Sequence, residues 1–512
     1  MLRFGFATND KWEYPEFPYD PPRGFPEIDG VLSKFNGQNC VYSVLRALLL
    51  NWGLDREHQG SIKWNPFRGL VQQSCTVVIK PNLVLHEKEV HFRNSLTSHA
   101  SVLRPILDYL ELLRKQDQID FEVVIADVPL QSADFRKILS DTGIGPLVAY
   151  FASERNFPVR LLDLRKETVN VNEDGFIVNR RQREGDPLGY SMIRLNNSFL
   201  DDIVSESAKF SIGDYDDRQT YRMHAKRGGH YYLIPNTILK SNLFINVPKL
   251  KTHQKTGITV AMKNLIGING DKSWIPHFRK GSPLSYGDEY SADHAALKWL
   301  YSATTRVLQS RSRSAWRAAK STMRLLRSVT QDSGEGLPML AKSHHYSRYN
   351  KMIGGAWHGN DTLWRPIFDL NRVLPYLNQL GEISEKPQRA YLCICDGVVA
   401  GEGNGPLEPQ PRRVGLLSVS DNPVVHDVCA ARLMGFDWRK IPLTANTPRL
   451  ASWFGFTGTT DAIEIFRCND SQGSTVEGFD SLPDLKLIPP PGWIGHIELA
   501  NRSADEFKAA MK

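Results

Sequence analysis

The segment 242–280 reads NLFINVPKLKTHQKTGITVAMKNLIGINGDKSWIPHFRK, and it decides how the rest of the chain is interpreted. Its first six residues, 242–247, form the short apolar run that is typical of a buried strand. The residues that follow are rich in lysine and include one acid, Asp271. α/β proteins place their ligand sites where such strands end, at the carboxyl edge of the sheet. The segment therefore predicts a site for a negatively charged small molecule.

Apolar runs of the same kind recur along the chain and alternate with helical patterns. We predict strands at 75–79, 121–126, 159–164, 242–247, 390–395 and 414–419. We predict helices at 40–52, 102–114, 135–139, 147–155, 259–266 and 422–433. Strands separated by helices indicate an α/β fold with a largely parallel or mixed, doubly wound sheet. We expect two lobes with a basic helical insertion.

The composition of the chain changes along its length and suggests four segments. These are an N-terminal lead-in and helix (1–60), an α/β lobe with the site loop (61–290), a basic amphipathic insert (291–345) and a C-terminal α/β lobe (346–512). Within the insert, residues 306–327 place Trp316, Met323 and Leu326 at helical spacing among many arginines. One interpretation is a solvated helix packed by that stripe. The other is contact with an anionic membrane surface.

Bulk properties exclude several classes of protein. The formal net charge is +7, and the basic residues form a few clusters, so we expect no nucleic-acid partner. No run approaches the roughly 20 apolar residues of a membrane span. The six cysteines lack ferredoxin or zinc-site spacing, which argues against an iron–sulfur cluster. The N-terminus has no hydrophobic signal region, so we expect a cytoplasmic protein, peripheral to the membrane under the second interpretation of the insert.

Polar residues follow the predicted strands and would meet at one edge of the sheet. For any single position, an ordinary loop residue is the alternative. The predicted ligand-binding residues are Lys80, Asn82, Asp127, Lys249, Lys251, Asn264, Lys272, Asp361, Gly401, Glu402 and Gly403.

Four residues are candidates for acid–base chemistry. His253 can transfer protons near neutral pH, and Lys263 lies close to a predicted helix start, where anions are favoured. His99 and His358 are further candidates, each next to polar sequence. The alternatives are a hydrogen-bonded loop histidine and a surface lysine.

A glycine-rich loop follows the predicted strand that ends at Asp396. Asp396 and Glu402 are candidate ligands for a divalent metal, although they would equally bind a sugar hydroxyl or a substrate amine. The loop lacks the known phosphate-binding glycine patterns, and an ordinary tight turn is the alternative.

Several ordered motifs resemble the domain of unknown function family 362. They are KPNLV (80–84), INVPKLKTH (245–253), MKNLIGINGDKSW (262–274), WHGNDTLWR (357–365), DGVVAGEGNGPL (396–407) and the segment 421–437. The resemblance spans roughly residues 70–440 and implies no settled activity. Some members carry ferredoxin-type cysteine modules, and this chain has none.

A second, weaker resemblance is to the lactate racemase family, whose members hold a nickel-pincer nucleotide. In that family a proton-shuttling histidine precedes the cofactor-tethering lysine by ten positions, the spacing of His253 and Lys263. His277 lies near the place of that family's metal-binding histidine. The family's phosphate motif is absent, and Lys80-Pro81-Asn82 stands in its place. The resemblance implies a fold and a site position and does not imply nickel.

Two hypotheses about function follow. The first is an enzyme that acts on a small anionic metabolite, such as a hydroxy acid, a uronic acid or a sugar phosphate, by acid–base chemistry such as epimerisation. The second is a non-catalytic binding protein in a larger, membrane-associated assembly. Converging His, Lys and Asp side chains in one pocket would favour the enzyme.

Overall fold

The computed structural model describes most of the chain. The described residues are 2–29, 34–35, 37–87, 94–171, 177–213, 217–225, 229–292, 299, 354–378, 380–468 and 473–499. The predicted insert at 291–345, including the proposed membrane-binding residues 306–327, lies almost entirely outside them.

One large sheet organises the protein. Its strands in chain order are β1 (Leu2–Thr8), β2 (Thr76–Pro81), β3 (Glu122–Asp127), β4 (Arg160–Asp163), β10 (Leu243–Val247), β11 (Lys249–His253), β12 (Gly257–Thr259), β14 (Ala390–Glu402), β15 (Gln410–Ser420), β16 (Ile463–Cys468) and β17 (Ser474–Glu477). Three small two-stranded sheets lie outside it. They contain β5 (Glu167–Val171), β6 (Ile177–Gln182), β7 (Tyr190–Leu195), β8 (Phe210–Ser211), β9 (His230–Pro235) and β13 (Phe278–Arg279).

The order of strands across the large sheet is β17-β16-β1-β15-β14-β10-β2-β3-β4, and β11 extends alongside β14 with β12 as its partner. The half from β14 through β10, β2 and β3 to β4 is parallel, whereas β1, β14 and β15 pair antiparallel. The predicted α/β class and mixed sheet are thus confirmed. The two predicted lobes share one sheet, because strands from 61–290 and from 346–512 pair with each other.

Helices cover the sheet. They are α1 (Cys40–Trp52), α2 (Ala100–Asp117), α3 (Phe135–Asp141), α4 (Ile144–Ser153), α5 (Asp217–His224), α6 (Asn236–Leu239), α7 (Ala261–Asn264), α8 (Trp364–Tyr376), α9 (Pro423–Leu433), α10 (Pro442–Ala445) and α11 (Ala451–Phe454). The predicted helices at 40–52, 102–114 and 422–433 correspond to α1, α2 and α9. The predicted helix 259–266 is shorter, since residues 257–259 belong to β12 and α7 passes into a 3-10 turn at Leu265–Ile268.

The core has two apolar layers, one on each face of the sheet. On β2, Val78 belongs to one layer, whereas Val77 and Ile79 belong to the other. On β10, Phe244 faces the first layer and Ile245 the second. Alternate residues of a strand point to opposite faces, so a strand buried on both sides needs apolar residues throughout. This explains why the continuous apolar runs in the sequence correspond to the central strands.

The N-terminal segment was predicted as an irregular lead-in, and this prediction is wrong for its first residues. β1 pairs with β15 on one side and with β16 on the other, in the middle of the sheet. Gly5 is required there because a Cβ atom at this position would lie 2.3 Å from the ring of Phe466. Only partners more than 400 residues away in sequence show that 2–8 is a strand. Among the described residues, no helix is long and apolar enough to cross a membrane.

Candidate functional site

The candidate site begins at the carboxyl ends of two neighbouring parallel strands. Lys80 near the end of β2 and Asp127 at the end of β3 form a buried ion pair, with 2.8 Å between Nζ and Oδ1. Asp127 also accepts hydrogen bonds from the backbone amides of Leu83 and Val128, each at 2.8 Å. Burial lowers the pKa of Lys80, and the Asp127 carboxylate opposes that shift. This pair fixes the two loops that leave the sheet here.

Gly267 packs directly against this ion pair. A Cβ atom at position 267 would lie 2.1 Å from Asp127 Oδ1 and 2.6 Å from Lys80 Nζ. The carbonyl of Gly267 also accepts a hydrogen bond from the amide of Val128 at 3.1 Å. The glycine in the MKNLIG motif therefore allows the loop after α7 to approach the edge of the sheet.

An acid from a distant helix holds α7, the short helix that carries Lys263. The residue before this helix, Val260, has no side-chain oxygen with which to cap it. The carboxylate of Asp427 on α9 instead accepts hydrogen bonds from the amides of Ala261 and Met262, at 2.7 Å and 3.0 Å. The first amides of a helix lack partners within the helix, so a carboxylate there satisfies them. Asp427 thereby fixes the position of Lys263.

A small cavity of about 50 Å³ opens between these elements. It is lined by Lys80, Asn82, Val84, Asp127, Lys251, His253, Thr259, Lys263, Asn264, Ile266, Gly267, Lys272 and Pro406. Six predicted binding residues line it together with the predicted catalytic residues His253 and Lys263, and every charged group among them except Asp127 is basic. The structure thus brings together Lys80, Asn82, Asp127, Lys251, His253, Lys263, Asn264 and Lys272.

Two of the four lysines in the cavity are already paired with protein groups. Lys80 contacts Asp127 and donates to Asn264 Oδ1 at 3.2 Å. Lys251 donates to the carbonyl of Leu96 at 2.6 Å and more weakly to Asn82 and Pro406. Burial and the neighbouring lysines hold the pKa of Lys251 well below its ordinary value.

The other two lysines, Lys263 and Lys272, have no hydrogen-bonding or ion-pairing partner among the described residues. Burial first, and then the charge of Lys272, lowers the pKa of Lys263 to about 7. Burial likewise lowers the pKa of Lys272 to about 8, although Asp127 opposes the shift. A cation without a counter-charge is costly to bury, and a bound anion would relieve that cost. These two ammonium groups are the features that point most directly to a ligand.

One hydroxyl group in the cavity wall is also without a partner. Thr259 Oγ1 is buried and makes no hydrogen bond within the described part of the chain. Buried hydroxyls nearly always have a partner, so an unpaired one at a cavity suggests a place for a ligand atom or a water molecule. No pattern in the sequence singles out Thr259, because its role depends on its place in β12, whereas we predicted it as the first residue of a helix.

His253 is held in one tautomer by the backbone. The amide of Lys255 donates to His253 Nδ1 at 3.0 Å, so in the neutral ring the proton is on Nε2. Burial, together with the charges of Lys263 and its neighbours, lowers the pKa of His253 well below its ordinary value. His253 is therefore a neutral imidazole that offers an N–H donor from Nε2.

His277 is held in the opposite tautomer. Its Nδ1 donates to the carbonyl of Ile275 at 2.8 Å, which leaves Nε2 as an acceptor. Burial and the charges of Lys255 and Lys263 lower the pKa of His277 well below its ordinary value. His277 is close enough to affect His253 electrostatically, but it does not line the cavity.

Three predicted site residues form a separate buried cluster. Lys249 lies 3.1 Å from Asp396 and donates to the hydroxyl of Tyr14 at 2.6 Å, and that hydroxyl donates to Asp396 at 2.5 Å. The amide of His99 donates to Asp396 as well, at 2.9 Å, and its ring stacks on that of Tyr14. These groups satisfy one another, so Lys249, Asp396 and His99 serve here as structural residues outside the cavity.

The structure gives the proposed metal ligands other partners. Asp396 is paired with Lys249, and Glu402 accepts a hydrogen bond from the amide of Ile488 at 3.0 Å. Within the described residues, no three His, Cys, Asp or Glu side chains are grouped as a metal site requires. The geometry therefore does not support a divalent metal held by Asp396 and Glu402.

The remaining predicted residues also lie outside the cavity lining. Asp361 accepts from Arg365 and Trp364 and fixes the start of α8. His358 stacks on His496, with 3.5 Å between ring centroids. Gly401 allows close packing near the end of β14, since a Cβ there would lie 2.8 Å from the carbonyl of Ser95. Gly403 has a left-handed φ of +67°, and a Cβ there would meet no atom within 4 Å. Contacts within the protein explain the first three positions, and backbone conformation explains Gly403.

Residues 195–432, which include β10, α7 and β14, match the family described as domain of unknown function DUF362. This match supports the resemblance to family 362 for the motifs within residues 195–432. The resemblance to the lactate racemase family is not shown by these comparisons.

Two further proteins show more limited similarity. A thylakoid-associated protein of Synechocystis sp. is 37% identical over 76 residues, which are 14% of this chain and 24% of that protein. A crystal structure of a Thermotoga maritima protein aligns with 75% of this chain and 55% of its own, with 11% identity and a TM-score of 0.29. A TM-score this low adds nothing to the description of the fold.

We predict that Gly267→Ala displaces the Lys80–Asp127 ion pair, because the new methyl group would occupy the position of the Asp127 carboxylate. Overpacking of this kind costs about 1–3 kcal/mol of unfolding free energy, which urea denaturation would measure. Gly473→Ala is the matched control, since a Cβ there meets no atom within 4 Å. Equal stability of the two variants would contradict the proposed close approach.

We also predict that Lys263 reacts with amine reagents at unusually low pH. Its pKa of about 7 makes the side chain neutral, and hence nucleophilic, at pH values where ordinary lysines with pKa values of about 10.4 stay protonated. Competitive labelling with trace acetic anhydride, followed by peptide mass spectrometry, should place its half-maximal reactivity near pH 7. Exposed Lys240 is the internal control. A titration of Lys263 that parallels that of Lys240 would refute the assignment.

Proposed function

We propose that the cavity binds the anionic group of a small metabolite and that Lys263 transfers a proton to or from that ligand. The observation that supports this is that the half-buried Lys263 and the buried Lys272 line one cavity without a counter-charge from the described residues. A carboxylate or phosphate group would supply that charge and also an acceptor for the hydroxyl of Thr259.

The size of the cavity limits what enters it. A volume of about 50 Å³ is several times the roughly 10–15 Å³ that one water molecule needs on the same scale. That is enough space for one carboxylate or phosphate group. The rest of the ligand would therefore extend beyond the cavity, which suits a hydroxy acid, a uronic acid or a sugar phosphate.

The two unpaired lysines suit different roles because their pKa values differ. Lys272, with a pKa of about 8, is mostly protonated at pH 7 and suits the binding of the anion. Lys263, with a pKa of about 7, is present in both protonation states at that pH. An acid–base group is most effective when its pKa lies near the working pH. Lys263 therefore acts as the base that removes a proton from a carbon bearing a hydroxyl group.

His253 supports the same step as a hydrogen-bond donor. Removal of a proton next to a carboxylate leaves negative charge on the carboxylate oxygens. A neutral imidazole with its proton on Nε2 would donate to that developing charge, and it would do so in a site with little water. If Lys263 first exchanges the proton with solvent, its return to the same face of the carbon completes a hydrogen exchange, whereas delivery of a proton to the opposite face completes an epimerisation. The ten-residue spacing of His253 and Lys263, which is also found in the lactate racemase family, fits this proposal.

A second candidate is a binding protein without catalytic activity. Its support is that the Synechocystis relative is a thylakoid-associated protein, together with the basic residues at 306–327 of this chain. Under this proposal the same cavity would hold an anionic ligand while the basic segment contacts a membrane surface.

We predict that Lys272→Met weakens anion binding about tenfold, the size expected from loss of one charge-assisted hydrogen bond. Calorimetry with lactate, glucuronate and glucose 6-phosphate would measure this for whichever of the three binds most tightly. Affinity in the wild-type protein should fall as the pH rises through about 8, because Lys272 loses its proton there. Lys240→Met, which removes an exposed lysine, should bind normally. Full affinity in Lys272→Met would rule out the anion site.

We predict that the wild-type protein exchanges the hydrogen on the hydroxyl-bearing carbon of its ligand with deuterated solvent. Lys263→Met should lower the exchange rate by about 10²–10⁴, the usual size of a general acid–base contribution. His253→Gln should lower the rate by about 10²–10³, as expected for one lost donor to a developing oxyanion. The rate should rise with pH through about 7, as Lys263 loses its proton.

Proton NMR of the recovered ligand would measure the exchange. Lys240→Met again serves as the control. A wild-type protein that binds its ligand but never exchanges the hydrogen would favour the non-catalytic candidate, and exchange that survives in Lys263→Met would remove this lysine from the mechanism.

A further inference from the structure

A second cavity of about 280 Å³ is lined in part by residues next to Lys272 in the sequence. It is lined by Gln131, Lys166, Glu167, Arg180, Gln182, Gln219, Leu233, Asp271, Ser273 and Trp274. Nothing in the proposed function uses these residues. At more than five times the volume of the first cavity, it has space for the body of a small metabolite.

One short turn contributes side chains to both cavities. Asp271 begins the 3-10 turn Lys272–Trp274 by accepting a hydrogen bond from the amide of Ser273 at 2.9 Å. Lys272 lines the first cavity, whereas Asp271, Ser273 and Trp274 line the second. A ligand whose charged end is held by Lys272 would therefore have its remaining atoms close to this turn.

The charges of the second cavity are balanced, unlike those of the first. Its basic residues are Lys166 and Arg180, and its acids are Glu167 and Asp271. Arg180 and Glu167 form an ion pair at 2.6 Å. Since two cations face two acids, the wall has no excess charge to attract an anion. It suits a part of a ligand that is polar but uncharged.

The hydrogen-bonding groups of the wall point to hydroxyl groups in particular. Three glutamines contribute amides, and an amide both donates and accepts, as a hydroxyl does. Gln219 has no hydrogen-bond partner among the described residues, and the indole N–H of Trp274 has none there either. An indole ring can also pack against the C–H face of a sugar. A row of hydroxyl groups would satisfy this wall better than an apolar chain.

We infer that the second cavity is a subsite for the uncharged, hydroxyl-rich part of the ligand. The ligand is then a sugar acid or a sugar phosphate rather than a short hydroxy acid. This inference rests on the proposed anion site, because the charged end of the same molecule is held by Lys263 and Lys272.

Calorimetry with two matched pairs of ligands tests the inference. One pair is lactate and gluconate, and the other is inorganic phosphate and glucose 6-phosphate. In at least one pair the sugar member should bind at least tenfold more tightly. Gln219→Leu should reduce that advantage roughly five- to tenfold, as expected for the loss of one or two hydrogen bonds, and should leave lactate or phosphate binding unchanged.

One matched variant serves as a control, and another provides an alternative test. Gln59→Leu changes an exposed glutamine far from the cavity lining and should bind as the wild type does. Gln182→Leu, at the exposed rim, provides a second test if Gln219→Leu does not fold. If both members of each pair bind equally well, the subsite is refuted while the anion site stands. If no member binds, the anion site and the subsite are both refuted.

Discussion

The buried ion pair between Lys80 and Asp127 is the interaction on which the rest of the site depends. It joins the ends of β2 and β3, and the same carboxylate holds the amides of two departing loops. Gly267 then packs against it and brings the loop after α7 to the edge of the sheet. Removing one partner of a buried pair leaves an uncompensated charge and is strongly destabilising. The pair therefore fixes the geometry in which Lys263 and Lys272 face one cavity.

The cavity has more basic groups than the protein neutralises. Asp127 is its one carboxylate, and it is already committed to Lys80. The fold tolerates Lys263 and Lys272 because burial lowers their pKa values, so that each can lose its proton at moderate pH. Structural ion pairs contain an acid for each basic group, whereas sites that bind anions contain basic groups without an acidic partner in the protein. The same imbalance gives a lysine that can both hold and release a proton near neutral pH.

The sequence predicted the strands that end at the site and most of the residues in the cavity, because central parallel strands have continuous apolar runs and polar residues follow them. It could not predict which polar residues would form ion pairs or hydrogen bonds with partners distant in sequence. Lys249 and Lys251 are two residues apart and look alike in sequence, yet Lys249 is neutralised by Tyr14 and Asp396 while Lys251 reaches the cavity. The strand β1 likewise depends on contacts far along the chain, with β15 and β16.

The most direct test of a cationic cavity is to locate an anion in it. Crystals soaked in bromide and measured at the bromine absorption edge would show each ordered anion as a peak of anomalous density. We expect a peak between the side-chain nitrogens of Lys263 and Lys272, beside Thr259 Oγ1, that is lost in crystals of the double variant Lys263→Met, Lys272→Met. Ordered bromide elsewhere on the protein, with none in the cavity and both lysines paired with carboxylates, would contradict it.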